Sequence, residues 1–126
     1  MSNRDTLAHC FEALNRGDPQ PFLDLYDPEI ELFVPSWTGP DGGLYRGADT
    51  VNRWYANYFA QWKDQRWEIV EALEHGSSVA FVFNWTGRGK RSEVALSARV
   101  FVVMTLSNGK LVTIVHLGSF DELLEL

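Results

Sequence analysis

The sequence predicts an α+β domain, with helices laid against one face of a curved antiparallel sheet. Three observations predict it. Apolar residues recur at helical spacing early in the chain, at Leu7, Cys10, Phe11 and Leu14, and again from Val51 to Trp62. From Arg66 onward the pattern changes to runs of alternation. Turn signals separate those runs at His75-Gly76-Ser77, Gly87–Ser92 and Ser107-Asn108-Gly109. The order is helix, helix, strand, helix and then a four-stranded meander.

Each element has its own signature. The first helix ends at Asn15-Arg16-Gly17, where Gly17 suits a C-cap. Pro19 and Pro21 open a short second helix carrying Phe22, Leu25 and Tyr26, and Asp27-Pro28 closes it. A strand follows over 29–34, with Ile30, Leu32 and Val34 on one face. The segment 35–47, PSWTGPDGGLYRG, carries two prolines and four glycines and predicts a loop. Its Trp37, Leu44 and Tyr45 need burial, so the loop is expected to fold over the core as a rim or lid. In the helix from 51 to 62, Val51, Trp54, Tyr55, Tyr58, Phe59 and Trp62 share one stripe. So aromatic a stripe either packs on the sheet or roofs a pocket with its Tyr hydroxyls and Trp N–H groups. Strands are expected over 66–74, 78–86, 93–106 and 110–119, and a short helix over 120–126.

At 126 residues the chain reads as one domain, 1–126, with a single core. The formal net charge of −6 argues against a nucleic-acid backbone or an anionic membrane as partner. Cys10 is the only cysteine, which excludes an internal disulfide and fits a reducing, cytoplasmic setting. The three histidines lack metal-ligand spacing, and Gly39–Gly43 lacks the spacing of a phosphate-binding loop, so neither metal nor cofactor is expected.

The strand over 93–106 is apolar on both faces, with Val94, Leu96, Ala98, Val100, Val102 and Met104 on one. The other carries Ala95, Ser97, Arg99, Phe101 and Val103. Helices cover one face, so a second copy of the chain is expected to cover the other. Arg99 interrupts that second face, and His116 interrupts the apolar last strand. Regular pairing outward from Asn108-Gly109 brings His116 near Arg99. One reading makes His116 a general acid/base, held neutral by the guanidinium, and Arg99 an oxyanion or carboxylate partner. The other pairs Arg99 with a structural carboxylate and His116 with a backbone carbonyl.

The segments FEALNRGD at 11–18, LYDPEIELFVP at 25–35, LYRGADTVNRWYANYF at 44–59 and NGKLVTIVHLGSFDELLEL at 108–126 resemble the nuclear transport factor 2-like superfamily. Within it they resemble the SnoaL-like polyketide cyclase and ketosteroid isomerase branch. The resemblance implies a sheet curved into a cone around an apolar cavity, closed by three helices, and a dimer through the outer sheet face. It also implies that Arg99 and His116 both face into the cone. The catalytic Tyr and two Asp of ketosteroid isomerases fall at Cys10, Val34 and Arg99, so that chemistry is not matched. The Arg and Asp of limonene epoxide hydrolases are not matched either, since Phe101 stands two residues after Arg99. The implied ligand is a small, mostly apolar molecule, with or without a carboxylate or enolisable carbonyl. Candidate contacts are Cys10, Val34, Trp37, Tyr45, Trp54, Tyr55, Tyr58, Phe83, Trp85 and Phe101. Cofactor-free isomerisation, cyclisation, dehydration or hydrolysis is one implied activity. A non-catalytic ligand-binding or protein-association module is the other.

Overall fold

A computed structural model describes residues 2–35 and 43–117. Helix α1 (Asn3–Asn15) is capped by the Ser2 side chain, which accepts from the Asp5 N–H. Gly17, at φ +82°, turns the chain out of it. The short α2 (Gln20–Leu25) follows, with proline in its first turn. Strand β1 (Tyr26–Val34) begins at once, so Tyr26 is a strand residue and not the end of the helix.

Part of the predicted loop is regular. Gly43–Arg46 forms a short strand, β2, paired antiparallel with β1. The glycines and prolines around it hid a strand in which Gly43, Leu44, Tyr45 and Arg46 all pair with β1. Trp37 and the proposed helix over 120–126 lie outside the described residues. Gly47, at φ +98°, turns the chain from β2 into α3 (Ala48–Phe59), and its N–H donates to the Ile30 carbonyl of β1. This helix stops three residues short of the expected end. Trp62 instead opens β3 (Trp62–His75) and packs edge-on against Trp85 at 5.0 Å. Strands β4 (Ser78–Gly89), β5 (Ala95–Ser107) and β6 (Lys110–Leu117) complete the meander.

The sheet order is β2-β1-β6-β5-β4-β3, with β1 parallel to β6 and the other pairs antiparallel. One face carries the core. Ile30, Leu32, Val79, Phe81, Phe83, Leu111 and Ile114 are buried there against Leu7, Phe11, Phe22 and Val51 of the helices. Phe11 is the hub, 4.5 Å from Phe83 and 4.8 Å from Phe22 between ring centres. On β5 the core face is buried at Val102 and Met104, whereas Leu96, like Val94 just before the strand, is about half exposed.

Two irregularities of register matter. On β3, Ile69 faces Phe83 but Glu71 faces Val82, so Val70 is an extra residue. On β6, Leu111 faces Leu106 but Thr113 faces Thr105, so Val112 is extra. Each bulge exchanges the faces of the residues beyond it.

Helix α1 packs on β3 and β4 and α3 on β1, leaving a gap over the middle of the sheet. Asn15 ties α1 to the free edge of β3. Its side-chain amide donates to the Trp67 carbonyl at 2.9 Å, and its Oδ1 accepts from the Trp67 N–H at 2.7 Å. An unpaired edge strand has backbone groups to satisfy, and this side chain satisfies two of them. Replacing Asn15 by Ala is expected to cost about 2 kcal/mol, read as a lower urea midpoint at unchanged m-value. Asn15→Asp, which keeps only the acceptor, should fall between the two.

Candidate functional site

The gap between the helices holds a cavity of about 140 Å³. Its walls are Phe11 and Leu14 of α1, Phe22 and Leu23 of α2, Tyr55 and Phe59 of α3, and Trp67, Val102, Met104, Ile114 and His116 of the sheet, with Tyr26 at the start of β1. A cavity of roughly 150 Å³ with such a lining holds one benzene-sized ring. No Asp, Glu, Lys or Arg is among its lining residues.

His116 faces this cavity because of the bulge at Val112. Beyond it, His116 pairs with Val102 and Ile114 with Met104, so all four share the core face. Helix α3 supplies the partner: the Tyr55 hydroxyl lies 2.8 Å from His116 Nε2. The bond has two forms. With the imidazole proton on Nδ1, Tyr55 donates to Nε2. With the proton on Nε2, His116 donates to the Tyr55 oxygen and frees the phenolic proton for another acceptor.

The pair is uncharged at neutral pH. Burial pulls the His116 pKa down to about 4, because a charged imidazolium loses its hydration there. Burial likewise pushes the Tyr55 hydroxyl well above its ordinary value, and the neighbouring Tyr26 and Tyr58 push it the same way. Tyr26 is raised to about 12 by burial. The lining therefore offers neutral donors and acceptors in an apolar space.

The aromatic stripe supports the pair more than it lines the cavity. Trp54 packs near the His116 ring at 6.1 Å, Tyr58 stacks on Trp54 at 5.5 Å, and Tyr45 lies 6.2 Å from Trp54 on its own side. Of the expected contacts, Tyr55 and His116 meet in the cavity. Cys10, Val34, Phe83 and Trp85 are buried in the surrounding core, and burial raises the Cys10 thiol pKa. That thiol stays protonated and is a poor nucleophile.

Arg99 is elsewhere. It faces Asn84 across the β4–β5 pair and is exposed on the outer side of the sheet, in a shallow polar groove with Glu68, Asn84, Thr86 and Ser97. Phe101, which pairs with Leu117, shares that outer side. The expected approach of Arg99 to His116 assumed regular pairing, and the single extra residue at Val112 overturns it. His116 is held neutral by burial and not by a guanidinium.

Several wall residues went unread in the sequence as cavity residues, among them Phe11, Phe22, Tyr26 and Trp67. Trp67 carried a usable signal, a large aromatic in the otherwise polar run Lys63–Glu68. Among the described residues no group of three or more His, Cys, Asp or Glu is placed to hold a metal ion, and no helix is long and apolar enough to cross a membrane.

Among the described residues, a six-stranded sheet with three helices on one face and a cavity between them defines the nuclear transport factor 2-like class of fold. The chain belongs to the SnoaL-like domain family, whose profile matches residues 7–114. Solved structures agree on the fold. A nuclear transport factor 2-like protein of unknown function from Burkholderia pseudomallei superposes with a TM-score of 0.81 at 21% identity, covering 100% of this chain and 98% of its own. A protein assigned to the SnoaL-like polyketide cyclases from Jannaschia gives 0.80 at 12% identity, covering 97% and 88%. A protein of ketosteroid isomerase-like fold from Catenulispora acidiphila, in complex with trimethylamine, gives 0.77 at 13% identity, covering 98% and 92%. No functionally curated protein matches the sequence.

The His116 environment makes stability depend on pH. Above about pH 6.5 the imidazole is neutral whether the chain is folded or unfolded, and it carries no penalty. Between 6.5 and about 4 the unfolded chain binds the proton and the folded chain does not, so stability falls as pH falls. Below 4 the loss levels off. His116 as a whole residue is only partly buried, so the loss is at most about 3 kcal/mol. Urea unfolding from pH 7 to 4 should show a steeper decline for the native protein than for His116→Gln, the difference isolating this group from the carboxylates.

Proposed function

We propose that the chain binds a small, neutral, mostly apolar molecule in the cavity and holds one carbonyl or hydroxyl oxygen of it on the Tyr55–His116 pair. The 2.8 Å contact between those two side chains at the wall of an apolar cavity carries this reading. Small-molecule pockets are largely apolar with a few placed polar groups, and this one has that form. The trimethylamine complex of the Catenulispora acidiphila protein supports the use of this fold for small ligands.

Binding is favoured over acid/base catalysis. A base whose conjugate acid has a pKa of about 4 takes a proton from carbon poorly at neutral pH. The lining supplies no carboxylate to replace it. Should the chain turn over a substrate, Tyr55 would act as the hydrogen-bond donor to a developing oxyanion, without a cofactor. A carboxylate ligand fits the uncharged lining less well than a ketone, because no cation is there to offset its desolvation.

The experiment is an NMR titration with cyclohexanone and cyclohexanecarboxylate at pH 7. Cyclohexanone should perturb amides around Tyr55, Met104 and His116, and the carboxylate should not. Tyr55→Phe should weaken the ketone about five- to tenfold with the fold intact, while Arg99→Ala leaves it unchanged. Equal affinity in Tyr55→Phe would remove the pair from the site.

We also propose a homodimer through the outer sheet face. Phe33 is 45% exposed there, and its row continues through Val115 and Val103 on adjacent strands. Such a contiguous apolar row is what a self-complementary interface covers. Sedimentation equilibrium should find a dimer, and Val103→Glu should shift it to monomer without loss of helical circular dichroism.

A further inference from the structure

The cavity is not fully enclosed, and three of its lining residues are exposed to water. Pro19 stands just before α2, and Asn52 and Ala56 lie one turn apart on α3. The other lining residues are buried or half-buried. The cavity therefore meets solvent between the start of α2 and the middle of α3. Helix α3 turns two adjacent sectors inward. Val51 and Trp54 face the core, while Asn52, Tyr55, Ala56 and Phe59, at spacing i, i+3, i+4 and i+7, line the cavity. Asn52 is thus the polar member of the cavity sector that water reaches. Its side-chain amide makes no hydrogen bond to any described residue, and an amide can both donate and accept.

We propose that Asn52 is a specificity-determining residue at the mouth of the cavity, where it binds a second polar group of the ligand. The proposal rests on reading the cavity as a binding site. It narrows the ligand to a ring-sized carbonyl compound carrying a hydroxyl or amide at the end remote from its carbonyl. The order in depth follows from the side chains. Residues three apart leave one face of a helix with Cβ atoms about 5–6 Å apart. The longer of the two, Tyr55, reaches His116 on the sheet at 2.8 Å and marks the deep end. The shorter amide of Asn52 stays beside the opening. A carbonyl held by the deep pair leaves the far side of a six-membered ring directed at the mouth, within reach of that amide.

The test compares 4-hydroxycyclohexanone with 4-methylcyclohexanone, which is of similar size, by NMR titration of ¹⁵N-labelled protein at pH 7. The affinity ratio of hydroxy to methyl ketone should be about three- to fivefold higher in the native protein than in Asn52→Ala, the worth of one neutral hydrogen bond. The Asn52 side-chain amide resonances, assigned by their loss in that variant, should move with the hydroxy ketone and not with the methyl ketone. The variant should fold, because the position is an exposed one on a helix and Ala is a good helix former. Arg53→Ala, next along α3 but outside the cavity lining, should leave the ratio at its native value. An unchanged ratio in Asn52→Ala with unmoved Asn52 amide resonances, while Tyr55→Phe still weakens both ketones, would overturn the role of Asn52 and leave the deep anchor. Binding of neither ketone would overturn both.

Discussion

Between Thr105 and Leu106 of β5, strand β6 spends one residue more than its partner, and every side chain beyond that point changes faces. Before the bulge Leu111 points into the core with Leu106; after it, Ile114 and His116 do, with Met104 and Val102. Regular pairing would have placed Val115 and Leu117 toward the helices and left His116 outside with Arg99. The extra residue therefore puts the histidine under helix α3, and the Tyr55 hydroxyl meets it there. Bulges also sharpen a sheet's local twist. Those at Val70 and Val112 stand on β3 and β6, the strands either side of the β4–β5 pair.

The second consequence is electrostatic. An imidazole and a phenol that bond each other are cheap to bury, because neither carries charge and each satisfies the other. A guanidinium on the same wall would need a carboxylate beside it, and a buried ion pair pays heavily in desolvation. Arg99 instead lies in water, in a row with Asn84 and Glu68 across β5, β4 and β3, where Asn84 donates to the Glu68 carboxylate at 3.2 Å. The cavity lining thus keeps only neutral polar groups, and the charges of this row, Arg99 and Glu68, stay on the outer side.

Much of this was legible in the sequence. The stripe at Leu7, Cys10 and Phe11 and the alternation at Val79, Phe81, Phe83 and Trp85 place core residues correctly because burial on one face leaves a period. Asn108-Gly109 marks the last hairpin by its turn chemistry, and Asn108 has the positive φ that such a turn needs. The bulge at Val112 was not legible, since LVTIV offers equally apolar residues to either face and nothing in it marks the slip. The same ambiguity hid β2, whose pairing with β1 depends on contacts across a glycine-rich segment. Tyr55 was visible as one of several aromatics. Its selection over Tyr58 follows from the rotation of α3 on β1, which Gly47 and its bond to Ile30 help to set.

The division of the sheet also explains why the cavity persists as a cavity. Phe11, Phe22 and Phe83 fill the space beneath α1 and α2 by ring-on-ring contact. Under α3 the rings Trp54, Tyr58 and Tyr45 pack on one another to one side of Tyr55 and His116, so little bulk enters the middle. Were Tyr55 to turn into the gap, it would give up its bond to His116 and leave an imidazole nitrogen without its partner. That cost, of the order of 1–3 kcal/mol, opposes collapse. A single neutral hydrogen bond thus holds Tyr55 against one wall of the cavity, and that ties the polar pair to the shape of the site as well as to its chemistry.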